Sequence, residues 1–188
     1  MTAAIVLAAG RAQRFGECKQ LARLDGKALL QHALEPLRKS KVDDIVVILG
    51  AHAEEIRREI RFDRERVLVN ADYADGMSTS IQAGLRAIDA DAVLIVLGDQ
   101  PFVSPRTIDL LIDTHQRTRA AFVIPTFDGR RGNPVLVDRS SFAELMNLRG
   151  DVGCRAIFAD HAESIVTVEV DDRGIVTDID TPDDLPSR

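Results

Sequence analysis

The run Ala92-Val93-Leu94-Ile95-Val96-Leu97 is apolar at every position. A strand with one wet face alternates apolar and polar side chains. A strand apolar on both faces must be covered on both, which is the situation of a central strand in a parallel sheet flanked by helices. Further apolar runs at Ala4–Leu7, Ile45–Leu49, Arg66–Val69, Ala121–Ile124, Val135–Val137, Ser164–Val170 and Gly174–Ile179 predict strands. Amphipathic patterns at 28–39, 53–60, 77–89, 105–118, 140–147 and 152–160 predict helices between them. This alternation predicts an α/β fold with a mainly parallel sheet. Asp171-Asp172-Arg173-Gly174 reads as a turn joining the last two strands antiparallel, which would make the sheet mixed. The 188 residues hold no repeat, low-complexity tract or linker, so 1–188 is expected to be one domain.

In such a sheet, ligands bind outside the carboxyl ends of the strands, and the residues that follow each apolar run carry the information. After the first strand comes Leu7-Ala8-Ala9-Gly10-Arg11-Ala12-Gln13-Arg14-Phe15-Gly16-Glu17-Cys18-Lys19. Arg11, Arg14 and Lys19 stand there against Glu17 alone, in a chain whose net charge is −6. Two readings fit: a solvated basic turn, or an anion site in which glycine lets backbone N–H groups approach a phosphate. The spacing matches neither G-x-x-x-x-G-K-[ST] nor G-x-G-x-x-G.

After the central strand comes Gly98-Asp99-Gln100-Pro101. A carboxylate there is costly unless solvated, hydrogen-bonded or bound to a cation; a turn and a Mg²⁺ ligand both use these residue types. Near the carboxyl end, alternation puts Asp178 and Asp180 on one face of the last predicted strand. Thr181-Pro182-Asp183-Asp184 has the hydroxyl, proline and acids of a helix start, which accounts for Asp183 and Asp184 and leaves Asp180 as a candidate metal ligand. The stretch Asn70–Ile81 leads through Gly76, Ser78 and Thr79 into a helix. It fits plain capping by Ser78 or Thr79, and equally a helix N-terminus that offers N–H and O–H groups to a ligand.

Composition excludes several classes. The acidic balance argues against a nucleic-acid partner. No apolar run approaches the roughly 18 residues of a membrane span, and no signal-peptide pattern opens the chain. Cys18 and Cys154 are too few for a disulfide scaffold or an all-cysteine zinc site, which points to a reducing, cytoplasmic setting. His32, His52, His115 and His161 are scattered without the i, i+4 spacing of a metal helix, and no G-x-S-x-G elbow is present. Cys18 has no base that the sequence identifies, and Arg149-Gly150-Asp151 is read as a chance tripeptide.

Taken in order, L-A-A-G-x-x-x-R-F-G-x-x-K-Q-L (7–21), D-G-K-A-L-L-Q-H-A-L (25–34), N-A-D-Y-A-D-G-M-S-T-S-I-Q-A-G-L (70–85), G-D-Q-P (98–101), R-G-N-P-V-L (131–136), G-D-V-G-C-R (150–155) and D-I-D-T-P-D-D-L (178–185) resemble the MobA-like nucleotidyltransferases over nearly the whole chain. Within that family the resemblance is closest to the molybdenum cofactor cytidylyltransferases, the MocA type. Ala9 and the run Cys18-Lys19-Gln20-Leu21 are closer to the cytidylyl type than to the guanylyl type. Ala12 departs from the small hydroxyl residue or glycine common in the family.

The resemblance implies a three-layer Rossmann-like sandwich, a mostly parallel mixed sheet with helices on both faces, of the nucleotide-diphospho-sugar transferase type. It also implies CMP transfer from CTP to the phosphate of molybdenum-molybdopterin, with Mg²⁺ as cofactor. Residue by residue, Lys19, Arg14 and Asp99 are the expected catalytic set. Leu7, Ala8, Ala9, Gly10, Arg11, Lys19, Asn70, Ser80 and Gly98 are the expected nucleotide site. Asp99 and Asp180 are the expected metal ligands, and Asn133, Asp151 and Arg155 would face the acceptor. A molybdoenzyme receiving the product is an expected partner. Transfer to another phosphorylated acceptor, or cofactor carriage without turnover, are the rival readings.

Overall fold

The computed structural model describes residues 1–10 and 15–185. The expectations placed on Arg11, Ala12 and Arg14 lie outside the described residues. In chain order the elements are β1 (Thr2–Ala8), the small hairpin β2 (Arg23–Leu24) and β3 (Lys27–Ala28), α1 (Leu29–Arg38), β4 (Asp44–Leu49), α2 (Ala53–Glu59), β5 (Arg66–Val69), α3 (Met77–Ala87), β6 (Ala92–Leu97), α4 (Pro105–Thr118), β7 (Phe122–Phe127), β8 (Arg130–Arg131), β9 (Val135–Asp138), α5 (Phe142–Leu145) and β10 (Ile165–Glu169). The main sheet runs β10-β7-β9-β6-β1-β4-β5, with β8 paired to β7.

β1 is the pivot. It pairs parallel with β4 on one side and β6 on the other, with Leu7 opposite Ile48 and Leu97. The chain leaves β1 outward to β4 and β5, then crosses back to start β6 on the other side. That reversal of direction opens a crevice at the carboxyl ends of β1 and β6.

Both faces of the sheet are buried, as the apolar runs require. Ala4, Val6, Ala8, Leu94 and Val96 face a layer built from Leu30, Leu34 and Leu37 of α1 and Ile108, Leu111 and Ile112 of α4. Ala3, Ile5, Val93 and Ile95 face the other layer, with Ile81 and Leu85 of α3, Leu145 and Phe158. At Gly84 a Cβ would lie 2.6 Å from the Ile5 side chain, so α3 rests on the sheet at a distance only glycine permits. Truncating a fully buried anchor such as Leu34 to alanine would cost about 2–5 kcal/mol. Helix α4 forms over the residues its signals indicate: Ser104 accepts from the Thr107 N–H at 3.2 Å, and Pro105 occupies the first turn.

The sheet is mixed, but for a different reason from the one the sequence suggests. β9 runs antiparallel to both β6 and β7, whereas β10 pairs parallel with β7. The expected strand Gly174–Ile179 is a 3₁₀ turn (Arg173–Val176) followed by an extended segment. Asp172 explains this. One of its oxygens accepts from the Gly174 N–H at 3.0 Å, and the other from the Ser104 N–H and the Thr107 hydroxyl. The chain is thereby drawn onto the loop after β6 instead of back along β10. The expected helix 140–147 shortens to a 3₁₀ turn and α5. The expected helix 152–160 forms as a 3₁₀ run, Cys154–Ser164, that leaves helical geometry at His161. There the imidazole bonds Glu144 at 2.7 Å and meets the Phe122 ring edge-on.

Candidate active site

The crevice beyond β1 and β6 is an open cleft of about 650 Å³, bordered among others by Ala9, Gly10, Lys19, Ser80, Asp99 and Asp180. Its centre is an ion cluster. Lys19 begins a 3₁₀ turn, Lys19–Leu21, and is 9% exposed. Its ammonium donates to Asp99 Oδ2 at 2.7 Å and to Asp180 Oδ1 at 3.0 Å. Burial acts to lower the Lys19 pKa, but the two carboxylates outweigh it and hold the amine above its ordinary value.

Each member is positioned by backbone. Gly98 donates its N–H to Leu7 O at 3.0 Å, and a Cβ there would sit 2.9 Å from the same oxygen, so β6 delivers Asp99 beside β1 only with glycine before it. Ile179 donates its N–H to Asp99 O at 3.1 Å, which brings the final segment, and Asp180 with it, to the strand end. Asp184 then caps that segment, accepting from the N–H groups of Asp180 and Thr181 and from the Thr181 hydroxyl. The second carboxylate oxygen of Asp99 is buried with no hydrogen-bond partner. An orphaned carboxylate oxygen is costly and marks a place for a cation or a donor. Among the described residues bordering the cleft, Lys19 stands against Asp99, Asp151 and Asp180. A polyphosphate entering that field requires further positive charge, and two carboxylates together with substrate phosphates suit Mg²⁺.

Other expected site residues divide. Leu7, Ala9, Gly10, Gly98, Ser80 and Asp151 border the cleft with the ion cluster. Ala8 does not: its side chain packs on the α1 layer, and its carbonyl accepts from Gln20 Nε2 at 3.3 Å. Asn70 is buried behind the site, donating to Thr79 Oγ1 at 2.8 Å and Ser80 Oγ at 3.0 Å while accepting from the Asp72 N–H. These bonds place Asn70 to orient Ser80.

The start of α3 is capped by neither Ser78 nor Thr79. Gly76, at φ 110°, occupies the N-cap. Met77 and Ser78 donate their N–H groups to Asp151 Oδ1 at 3.3 Å and Gly150 O at 3.2 Å. The loop around 150–151 therefore caps this helix from outside, and the close approach depends on Gly76, where a Cβ would lie 2.2 Å from Gly150 C. Asn133 and Arg155 border a smaller cavity of about 260 Å³, which shares Met77 and Leu97 with the main cleft.

Asp178 lines that smaller cavity, a residue to which the sequence alone assigns no functional role. It accepts from Gln100 Nε2 at 2.7 Å. Burial pushes its carboxyl up, Gln100 opposes this, and the charges of Asp99 and Asp180 add to the rise. Its alternation with Asp180 was the available signal. Tyr73, Gln20 and Met77 also border the main cleft, and nothing local in the sequence singled them out.

A family profile described as MobA-like NTP transferase domain matches residues 4–165. Nicotine blue oxidoreductase of Paenarthrobacter nicotinovorans is 28% identical, over 96% of this chain and 93% of that protein. Molybdenum cofactor cytidylyltransferase of Escherichia coli K12 is 25% identical, over 96% and 92%. Among solved structures, Rv0371c of Mycobacterium tuberculosis H37Rv matches with a TM-score of 0.86 and 28% identity, covering 97% of this chain and 94% of that one. A manganese complex of Rv0371c matches with a TM-score of 0.83.

Proposed function

The chain belongs to the MobA-like NTP transferase family, and from that premise we propose that it transfers CMP from CTP to the phosphate of molybdenum-molybdopterin, releasing pyrophosphate. The observation that carries this reading is Lys19 held between Asp99 and Asp180 at the mouth of β1 and β6. The similarity to a molybdenum cofactor cytidylyltransferase over 96% of the chain supports the choice of substrates.

In this reaction the acceptor phosphate attacks the α-phosphorus of CTP, and pyrophosphate leaves in line. A phosphate nucleophile is already ionised at neutral pH, so the site needs no strong base. What it must supply is position and positive charge. Ala9 and Gly10 present backbone groups to the nucleotide, with Leu7 and Gly98 shaping the floor. Arg14 and Lys19 bind the β and γ phosphates, with Lys19 neutralising charge that develops on the departing pyrophosphate, and Arg11 adds to the nucleotide site. Asp99, with its orphaned oxygen, and Asp180 would hold Mg²⁺; when bound, that ion offsets charge on the phosphate oxygens. Ser80, oriented by Asn70, reads the base. Asn133, Asp151 and Arg155 receive the acceptor on the side of the smaller cavity.

The test is pyrophosphate release measured with CTP, GTP, ATP and UTP against molybdenum-molybdopterin and a series of sugar phosphates. CTP with molybdenum-molybdopterin should be fastest. Preference for another nucleotide or acceptor overturns the assigned substrates, and cofactor binding without pyrophosphate from any nucleotide overturns the transferase reading.

A further inference from the structure

Directly before Lys19, the chain places a thiol against the first turn of α2. Cys18 is 6% exposed; its Sγ donates weakly to Gln20 Oε1 at 3.5 Å and accepts from the backbone of Leu21 and Gln20. His52 and Glu55, on the α2 side, bring Nδ1 and Oε2 to 3.5 Å from each other. One ligating atom from each of Cys18, His52 and Glu55 lies within 4.8 Å of the other two. Among the described residues, this is the one group of three or more Cys, His, Asp or Glu side chains gathered so closely.

We propose that Cys18, His52 and Glu55 form a transition-metal site, separate from the carboxylates of the cleft and suited to Zn²⁺ over Mg²⁺. The donor set decides the selectivity. Sulfur and imidazole nitrogen suit Zn²⁺, while Mg²⁺ takes oxygen ligands in octahedral geometry. Tetrahedral Zn²⁺, with bonds of about 2.0–2.3 Å, places its donors roughly 3.3–3.8 Å apart. The His52–Glu55 separation already has that value. The remaining closure falls on Glu55, which is exposed, and His52, which is half-buried. A fourth position remains for water.

Cys18 binds as the thiolate. Burial pushes its thiol up and the Glu55 carboxylate pushes it further, so metal binding displaces one proton from Sγ to solvent. The bound ion would tie the turn that carries Lys19 to α2, reaching the catalytic loop without touching substrate.

The test is titration of the reduced full-length protein with Co²⁺ in excess Mg²⁺. One equivalent should give a thiolate-to-cobalt charge-transfer band that Zn²⁺ abolishes. Cys18→Ser should lose the band, Cys154→Ser should keep it, and His52→Ala, a change at a half-buried position, should weaken Co²⁺ binding at least ~10-fold. Asp99→Asn should leave the band intact, which separates this site from the proposed nucleotide chemistry. Absence of the band, its persistence in Cys18→Ser, or unchanged affinity in His52→Ala overturns the proposal.

Discussion

The two ends of the sheet both carry buried charge, and they treat it in opposite ways. At the amino end, Glu65 has a fully buried side chain whose two oxygens accept from Arg38 at 2.6 and 3.2 Å, with the Asp63 N–H at 2.7 Å completing the set. Arg64 spans the same edge, donating to Val42 O and Leu37 O. At the carboxyl end, one ammonium serves two carboxylates, and an oxygen of Asp99 is left buried without a partner. Saturated bonding fixes a structure, whereas an excess of acceptors around a single cation is a site arranged for something else to bind. Polar atoms that a fold leaves unpaired are where function is to be sought.

The contrast predicts which end, when damaged, costs activity and which costs stability. The largest effect is expected for Lys19→Ala: in the proposed reaction it removes charge stabilisation at the departing group, and turnover should fall about 10²–10³-fold. Pyrophosphate release by a variant confirmed as folded measures this, and near-normal turnover would remove Lys19 from the catalytic set.

Next is Glu65→Gln, which breaks the buried pair and should cost about 3 kcal/mol, with turnover per folded molecule unchanged. For a chain of this size, that is a fall in melting temperature of roughly 6–12 °C. The pH dependence sharpens the test. Burial acts to raise the Glu65 pKa, but Arg38 and the Asp63 N–H outweigh it and hold the carboxyl below its ordinary value. Its stabilisation is therefore present above the ordinary carboxylate range and lost as pH falls through the depressed folded value. The gap between wild type and Glu65→Gln should narrow as pH falls through and below the ordinary carboxylate range. A gap independent of pH would show that packing, not charge, holds that end.

Asp99→Asn should weaken Mg²⁺-dependent nucleotide binding by ~10-fold or more, a change of the size associated with disturbed metal sites. Mg²⁺ titrations indistinguishable from wild type would cancel its role as a ligand. The smallest effect is expected for Asn70→Ala. Loss of the hydrogen bond that orients Ser80 should raise KM for the nucleotide by roughly 2–10-fold and leave kcat nearly unchanged. A fall in kcat with KM constant would place Asn70 in the chemistry instead.

Much of this was legible in local patterns. Apolar runs gave seven of the eight expected strands, and Ser104-Pro105 announced α4, because burial on a sheet face and capping leave short-range signatures. Gly174–Ile179 misled because Ile175 and Ile179, both buried, satisfy an apolar pattern equally well in a turn and extended segment pinned by Asp172. Asp151 as an external cap on α3, and Asn70 as the residue orienting Ser80, depend on contacts across the fold and carry no local mark. The same holds for Cys18, His52 and Glu55. The histidine spacing is uninformative because the thiol that meets His52 and Glu55 comes from another element.

By itself, the amino-acid sequence determined the layered architecture, the crevice end of the sheet, and the residue types available there: a lysine after a glycine-bearing loop and aspartates at strand ends. Only the tertiary structure decided that Lys19 meets Asp99 and Asp180, which are 80 and 161 positions away. The physical reason is range. Burial and capping act over a few neighbouring residues and leave a periodic imprint, whereas a shared ammonium depends on strand order and on the path of the final segment, which no local pattern encodes.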